Sequence, residues 1–116
     1  MAEANLILSV ILAAIIAVTG FAMVIAPQGV TNTAAHLGFS TRSFRLIGVL
    51  ELAASAALLL GLWWTPLAIA AGVGLTLLLI GAAATHLRAN DGLMAVAPAA
   101  VCALLAIAVV GSAVVG

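Results

Sequence analysis

The fold class that this sequence predicts is all-α: an integral membrane four-helix bundle made of antiparallel hairpin pairs. Three observations carry the prediction. The composition is 67% hydrophobic and 5% charged, whereas a soluble domain has about a quarter of its residues charged. The apolar residues come in blocks long enough to cross a hydrocarbon core roughly 30 Å thick. The length, 116 residues, holds four such blocks with short connections. The chain therefore reads as a single transmembrane domain, 1–116, with spans at about 5–26, 45–64, 66–87 and 93–115. Within this length no soluble domain fits beside the spans, so any chemistry arises inside the bundle or from a partner.

Residues 5–26 read as the first span, stopped by Pro27 and Gly29. Its start, MAEAN, is acidic rather than basic, and the apolar run exceeds a usual signal-peptide core. An uncleaved first helix is expected. Residues 27–44 are the longest polar stretch. Two readings stay open there: a short interfacial helix carrying His36, or a loop lying over the bundle. Ser40 or Thr41 can cap the second span. That span runs over 45–64 and ends at Trp63 and Trp64, at the level of an aromatic belt. Pro66 follows at once, so a tight turn makes spans two and three antiparallel neighbours. In the third span, 66–87, Gly81 and Thr85 form a small-xxx-small pair expected at a close helix contact. Residues 88–92, RANDG, read as a turn. The fourth span, 93–115, contains Pro98, a candidate kink.

Net charge is zero and no basic run is present, so nucleic acid is not an expected partner. Cys102 is the single cysteine. It has no partner for an internal disulfide or a CxxC pair, and its apolar segment points to packing. A haem pair, a flavin fingerprint and a phosphate loop are missing too. The arginines set the topology. Arg42 and Arg45 precede span two and Arg88 follows span three, so all three lie on one side, with Glu3 on the other. The positive-inside rule then puts 27–44 and 88–92 in the cytoplasm and both termini outside.

The stretch from Arg45 to Trp64 is the most informative. Twenty residues separate Arg45 from Pro66, and Glu51 is the only charged one. At about 1.5 Å per residue, Glu51 lies roughly 9 Å deeper than Arg45. An acidic side chain costs up to about 3 kcal/mol at the bilayer centre, so Glu51 is expected to face the bundle interior, paired or protonated. Arg45, Gly48, Glu51 and Ser55 fall at i, i+3, i+6 and i+10, on one face of the helix. The bland reading of Glu51 is a buried packing residue. Antiparallel geometry brings Arg45, Glu51, His86 and His36 towards one membrane side. The natural picture is a pocket floored by Glu51 and rimmed by His86 and Arg45.

Three chemistries fit such a pocket. It can recognise the polar head of a quinone or lipid. Glu51 and His86 can handle protons as a pair. A metal site from His36, His86 and Glu51 is disfavoured, because the spacing matches no helical ligand motif, and no metal is assigned. Alone, His86 beside Arg88 reads equally well as a helix-end residue near the terminal carbonyls.

The pattern Arg45-x-x-Gly48-x-x-Glu51, Gly61 before the paired Trp, Pro66-Leu67-Ala68, and Gly81-Ala82 followed by Thr85-His86-Leu87-Arg88 resembles the DoxX-like family of small bacterial membrane proteins. The resemblance is best over spans two and three. It implies a four-helix bundle in the bacterial cytoplasmic (inner) membrane, with Arg45, Gly48, Glu51 and His86 at family-type positions. The family takes its name from a membrane subunit associated with a thiosulfate:quinone oxidoreductase. The expected function is therefore a non-catalytic accessory subunit or partner of a membrane oxidoreductase complex. Its ligand would be a quinone or lipid held by Arg45, Gly48, Glu51, Ser55, His86 and His36; its partners would be membrane lipid and a protein complex or a second copy of the chain. The alternative is a small membrane isomerase or reductase acting on a lipid-soluble substrate, with Glu51 and His86 as catalytic candidates.

Overall fold

The computed structural model describes residues 2–115, so Met1 and Gly116 of the expected 1–116 domain lie outside the described residues. Five helices follow in order: α1 (Ala2–Ile25), α2 (Gln28–His36), α3 (Thr41–Leu60), α4 (Thr65–Arg88) and α5 (Leu93–Val115). All but α2 are long and apolar enough to cross a membrane. With a long dimension of 41 Å, the bundle matches the roughly 40–45 Å of a bilayer with its headgroups. The chain is a multi-pass integral membrane protein.

The helix ends are set by local chemistry. At the end of α1, Ala26 turns left-handed (φ 53°) and its N–H donates to the Ala22 carbonyl at 2.9 Å; Pro27 then has no N–H to continue with. The polar stretch forms α2, the helical reading of the two. It closes at Gly38 (φ 85°), where the Gly38 N–H donates to the Ala35 carbonyl and the Phe39 N–H to the Ala34 carbonyl. That paired closure is a Schellman motif, and glycine suits its left-handed position. The Ser40 hydroxyl accepts from the Ser43 N–H at 3.1 Å and starts α3 at Thr41. The second span thus begins four residues before Arg45, because the cap and not the apolar run sets its start. It also stops at Leu60, earlier than Trp64. Gly61 to Trp63 form a turn, and Trp63 and Trp64 stand exposed beyond the helix. Pro66 lies in the first turn of α4, where a missing N–H is harmless. Asn90 (φ 60°) closes α4 with a second Schellman pair: the Asn90 N–H to Leu87 and the Asp91 N–H to His86. Pro98 lies inside a continuous α5.

Packing is uneven around the ring. α1 lies closely along α3, and α4 along α5, while the α3–α4 and α1–α5 seams are looser. Each spanning helix turns one stripe inward, for example Leu12, Ile16 and Gly20 of α1 and Leu75 and Leu79 of α4. Outward faces are apolar, as at Val18, Leu46, Leu77 and Leu104, and meet lipid rather than water. At the end remote from the arginines, the Asn5 amide donates to the Ser112 hydroxyl at 2.9 Å and the Val109 carbonyl at 3.3 Å, pinning α1 to α5.

α1 and α3 approach closely at Gly20 and Gly48. A Cβ on Gly48 would lie 2.7 Å from the Gly20 carbonyl oxygen and 2.8 Å from the Met23 Cβ; one on Gly20 would lie 2.9 Å from the Gly48 carbonyl oxygen. The nearest obstacles are carbonyl oxygens and Cβ atoms, which cannot rotate away, so the helices would have to separate. The expected contact at Gly81 and Thr85 is not made. A Cβ on Gly81 would meet nothing within 4 Å, and the Thr85 hydroxyl donates back to the Gly81 carbonyl at 2.8 Å. The close contacts of α4 come from Gly72, where a Cβ would collide with Val110, and from Ala68, which a Cβ on Gly61 would strike. Small residues in a sequence mark possible contacts; the facing helix decides which are used.

Two alanine variants separate these cases. Gly48→Ala should destabilise the bundle by about 1–3 kcal/mol, the usual range for overpacking. Gly74→Ala, in open space on α4, should be neutral or stabilising by up to about 1 kcal/mol through helix propensity. Equilibrium unfolding of the detergent-solubilised protein in a denaturing surfactant reads both; equal effects would remove the close crossing as the cause.

Candidate functional site

The inward stripe of α3 carries Gly48, Glu51, Ser55 and Leu58. Glu51 is 7% exposed, held between α3 and the Gly20 notch of α1. Its Oε1 lies 3.4 Å from the Thr19 hydroxyl, which also lies 3.1 Å from the Ile16 carbonyl. One hydroxyl hydrogen serves one acceptor well at a time, so Thr19 is a weak partner. Oε2 is buried without a hydrogen-bond partner, and among the described residues Glu51 has no ion-pair partner. Buried polar atoms are normally satisfied; among the described residues Oε2 shares its unpartnered state with the Ser9 hydroxyl of α1, which does not line the cavity that Glu51 borders.

Glu51 borders a cavity of about 390 Å³, within the roughly 300–1,000 Å³ of small-molecule sites. The cavity follows the loose α3–α4 seam. Phe44 and Ile47 of α3, Met23 of α1, and Leu77, Leu78 and Ala82 of α4 form apolar walls. Leu37 and Phe39 reach it from the α2–α3 connection. Its polar lining consists of Glu51, Thr85 and His86. With Thr41 and Arg88 at the same end of the bundle, helix rise puts Glu51 roughly 15 Å in and His86 roughly 3 Å in, about 12 Å apart along the axis.

The structure therefore brings two of the expected site residues, Glu51 and His86, to one cavity. Four others stand outside its wall. Arg45 is exposed near the start of α3. Gly48 is filled by the crossing with α1, and the Ser55 hydroxyl donates to the Glu51 backbone carbonyl at 3.0 Å. His36 ends α2 on the surface, with 55% of its side chain exposed.

His36 has a different partner. Its Nε2 lies 2.6 Å from Asp91 Oδ1, and His86 Nδ1 lies 2.7 Å from Asp91 Oδ2. The hydrogen bond from His86, then that from His36, hold the Asp91 carboxyl below its ordinary pKa. An ionised carboxylate only accepts, so Nε2 of His36 and Nδ1 of His86 each carry the donated hydrogen. The sequence reading took 88–92 as a turn and gave Asp91 no role. A signal was present: an aspartate five residues after a helix-end histidine, within reach once the chain reverses.

The family model described as DoxX-like family matches residues 7–109 of the chain. No curated protein and no solved structure matches it significantly.

The Asp91 bridge should depend on pH in one direction. Because the folded carboxyl sits below its ordinary value, about 3.9, the bridge contributes fully above that value and is lost as pH falls through the lower folded one. Amide protection in 34–39, corrected for intrinsic exchange, should not fall from pH 7 to 5 and should be lost only below the ordinary carboxyl value in hydrogen-exchange mass spectrometry. Asp91→Asn should show the same loss of protection at pH 7. Protection unchanged in both cases would mean that the bridge does not order this connection.

Proposed function

The chain belongs to the DoxX-like family, and from that premise we propose that it is a non-catalytic accessory subunit of a membrane oxidoreductase complex, holding a quinone or similar polar-headed lipid in the cavity beside Glu51. The observation that carries this reading is the cavity itself: apolar walls along a lipid-facing seam, with a buried carboxyl at the inner end. Such walls suit a hydrophobic tail or ring, and a few placed polar groups fix orientation. The oxidoreductase association is supported by the family's namesake subunit.

The separation of Glu51 and His86 supports a binding role over acid–base catalysis. Proton transfer at a reacting group needs each catalytic side chain within hydrogen-bond reach of it. Roughly 12 Å between the two levels, with His86 already engaged by Asp91, suits one head at Glu51 and a body extending towards Thr85 and His86. We place the protein in a bacterial inner membrane. The Arg42, Arg45 and Arg88 end faces the cytoplasm, and both termini lie outside.

Purification from the native membrane in mild detergent, followed by mass spectrometry of co-purifying proteins and extracted lipids, tests the reading. The wild type should carry a quinone and a stoichiometric redox partner. Ala82→Trp, which fills the cavity, should abolish the bound quinone while helix content stays the same. Glu51→Gln should lower quinone occupancy by up to about tenfold, the effect of one hydrogen bond. A lone protein with the same bulk lipids in all three forms would sink the proposal. Turnover of a lipid that Glu51→Gln abolishes would establish an enzyme instead.

A further inference from the structure

The segment between α1 and α3 is tied to the rest of the molecule in an unusual way. Among the described residues, the hydrogen bonds of 27–39 stay inside the segment with a single exception, His36 to Asp91. That bond reaches across 55 positions of sequence to the turn joining α4 and α5. The apolar hold on α2 is slight: Ala34 is its one buried residue, and its packing on α3 is light. The next residues after His36 include Leu37 and Phe39, both in the cavity wall. Left-handed residues bound the segment, Ala26 before α2 and Gly38 between Leu37 and Phe39.

We propose that α2 and Leu37 form a lid over the cavity, latched by the hydrogen bond from His36 to Asp91. The latch fixes the end of α2 and with it Leu37 in the cavity wall, while Phe39, beyond Gly38, rests on the Phe44 ring of α3 at a centroid distance of 6.1 Å. His86 completes the device. It holds the second Asp91 oxygen, so the carboxylate presents the first to His36, and it lines the cavity at the same time. Breaking the His36–Asp91 bond leaves the cavity intact in the α3–α4 seam but frees the segment closing its end. Ala26 and Gly38 are where the backbone can pivot, since hinges absorb their change at a few positions at element ends; α2 and Leu37 lie between them, and Phe39 stays with α3.

The lid concerns access to the cavity assigned above to a lipid-soluble ligand, and its biological use rests on that reading; its mechanics do not. The test therefore uses no ligand. In Cys102→Ala protein, the Ala82→Cys substitution puts a thiol in the cavity wall, and a charged methanethiosulfonate reagent reports its access to water. His36→Ala should raise the reaction rate about tenfold. Asp91→Asn should do the same and serves if the first variant folds poorly. In otherwise wild-type protein, Cys102 is buried in the core, and its reaction rate should stay unchanged in both variants. Rates at position 82 within twofold of the parent in both variants would overturn the lid. An equal rise at Cys102 would overturn it too, because the bond would then be holding the bundle together. Loss of quinone capture with a working latch would fail only the ligand reading, and capture without a latch effect would fail only the lid.

Discussion

The structure depends on how closely α1 and α3 approach at Gly20 and Gly48. No side chain intervenes there: each glycine faces the other's carbonyl oxygen at a distance that excludes a Cβ. Without a hydrophobic drive between helices in lipid, association relies on packing, and small residues permit it. The crossing also fixes rotation. With Gly48 against α1, the residue three positions on must point inward, and that residue is Glu51, whose Cβ borders the Gly20 notch. The carboxyl is interior because the backbone crossing leaves it no lipid-facing option, and Thr19 lies one residue before the notch to meet it.

The same tightness explains the cavity. Two close pairs, α1 with α3 and α4 with α5, are each held by a glycine against its neighbour. The seam between the pairs lacks such a device near the arginine-bearing end. Gly81 faces open space and Thr85 bonds to its own helix, so neither draws α4 against α3 where the cavity lies. Small residues thus act in opposite ways on one helix: Gly72 closes a gap and Gly81 leaves one open. What distinguishes them is the partner, Val110 of α5 for the first and none for the second.

Much of the fold was legible in the sequence, because hydrocarbon thickness and backbone hydrogen bonding leave few choices. The four long helices, the Ser40 cap and the inward phase of Glu51 all follow from local rules. The helix ends were less legible. Ser40 and Gly61 overrode the apolar pattern and shifted the second span towards its start. The site was legible only in part. Helical phase aligns Arg45, Gly48, Glu51 and Ser55, yet phase does not say what faces the stripe. Gly48 met a helix, Ser55 bonded to the Glu51 carbonyl, and Arg45 stayed exposed near the helix start. Asp91 was missed because its importance is tertiary: it matters only when the Asn90 reversal turns it back towards His86 and α2 comes to lie alongside.

The polar groups are therefore divided by depth rather than gathered in one cluster. At the inner level stands a single carboxyl with an unpartnered oxygen. At the outer level a carboxylate has both oxygens engaged by histidines from separate elements. The two carboxyls have opposite needs. An interior group with an open valence has a use for a ligand that completes it, whereas a saturated surface group fixes the geometry of what it joins. Between them lies an apolar passage lined by Leu37 and Phe39 among others, neither of which can complete Glu51. In the proposed reading, recognition and access are carried by different residues on different elements. His36 and Asp91 stand apart from the wall beside Glu51, and Glu51 stands apart from the surface bridge, so the two roles can be altered separately.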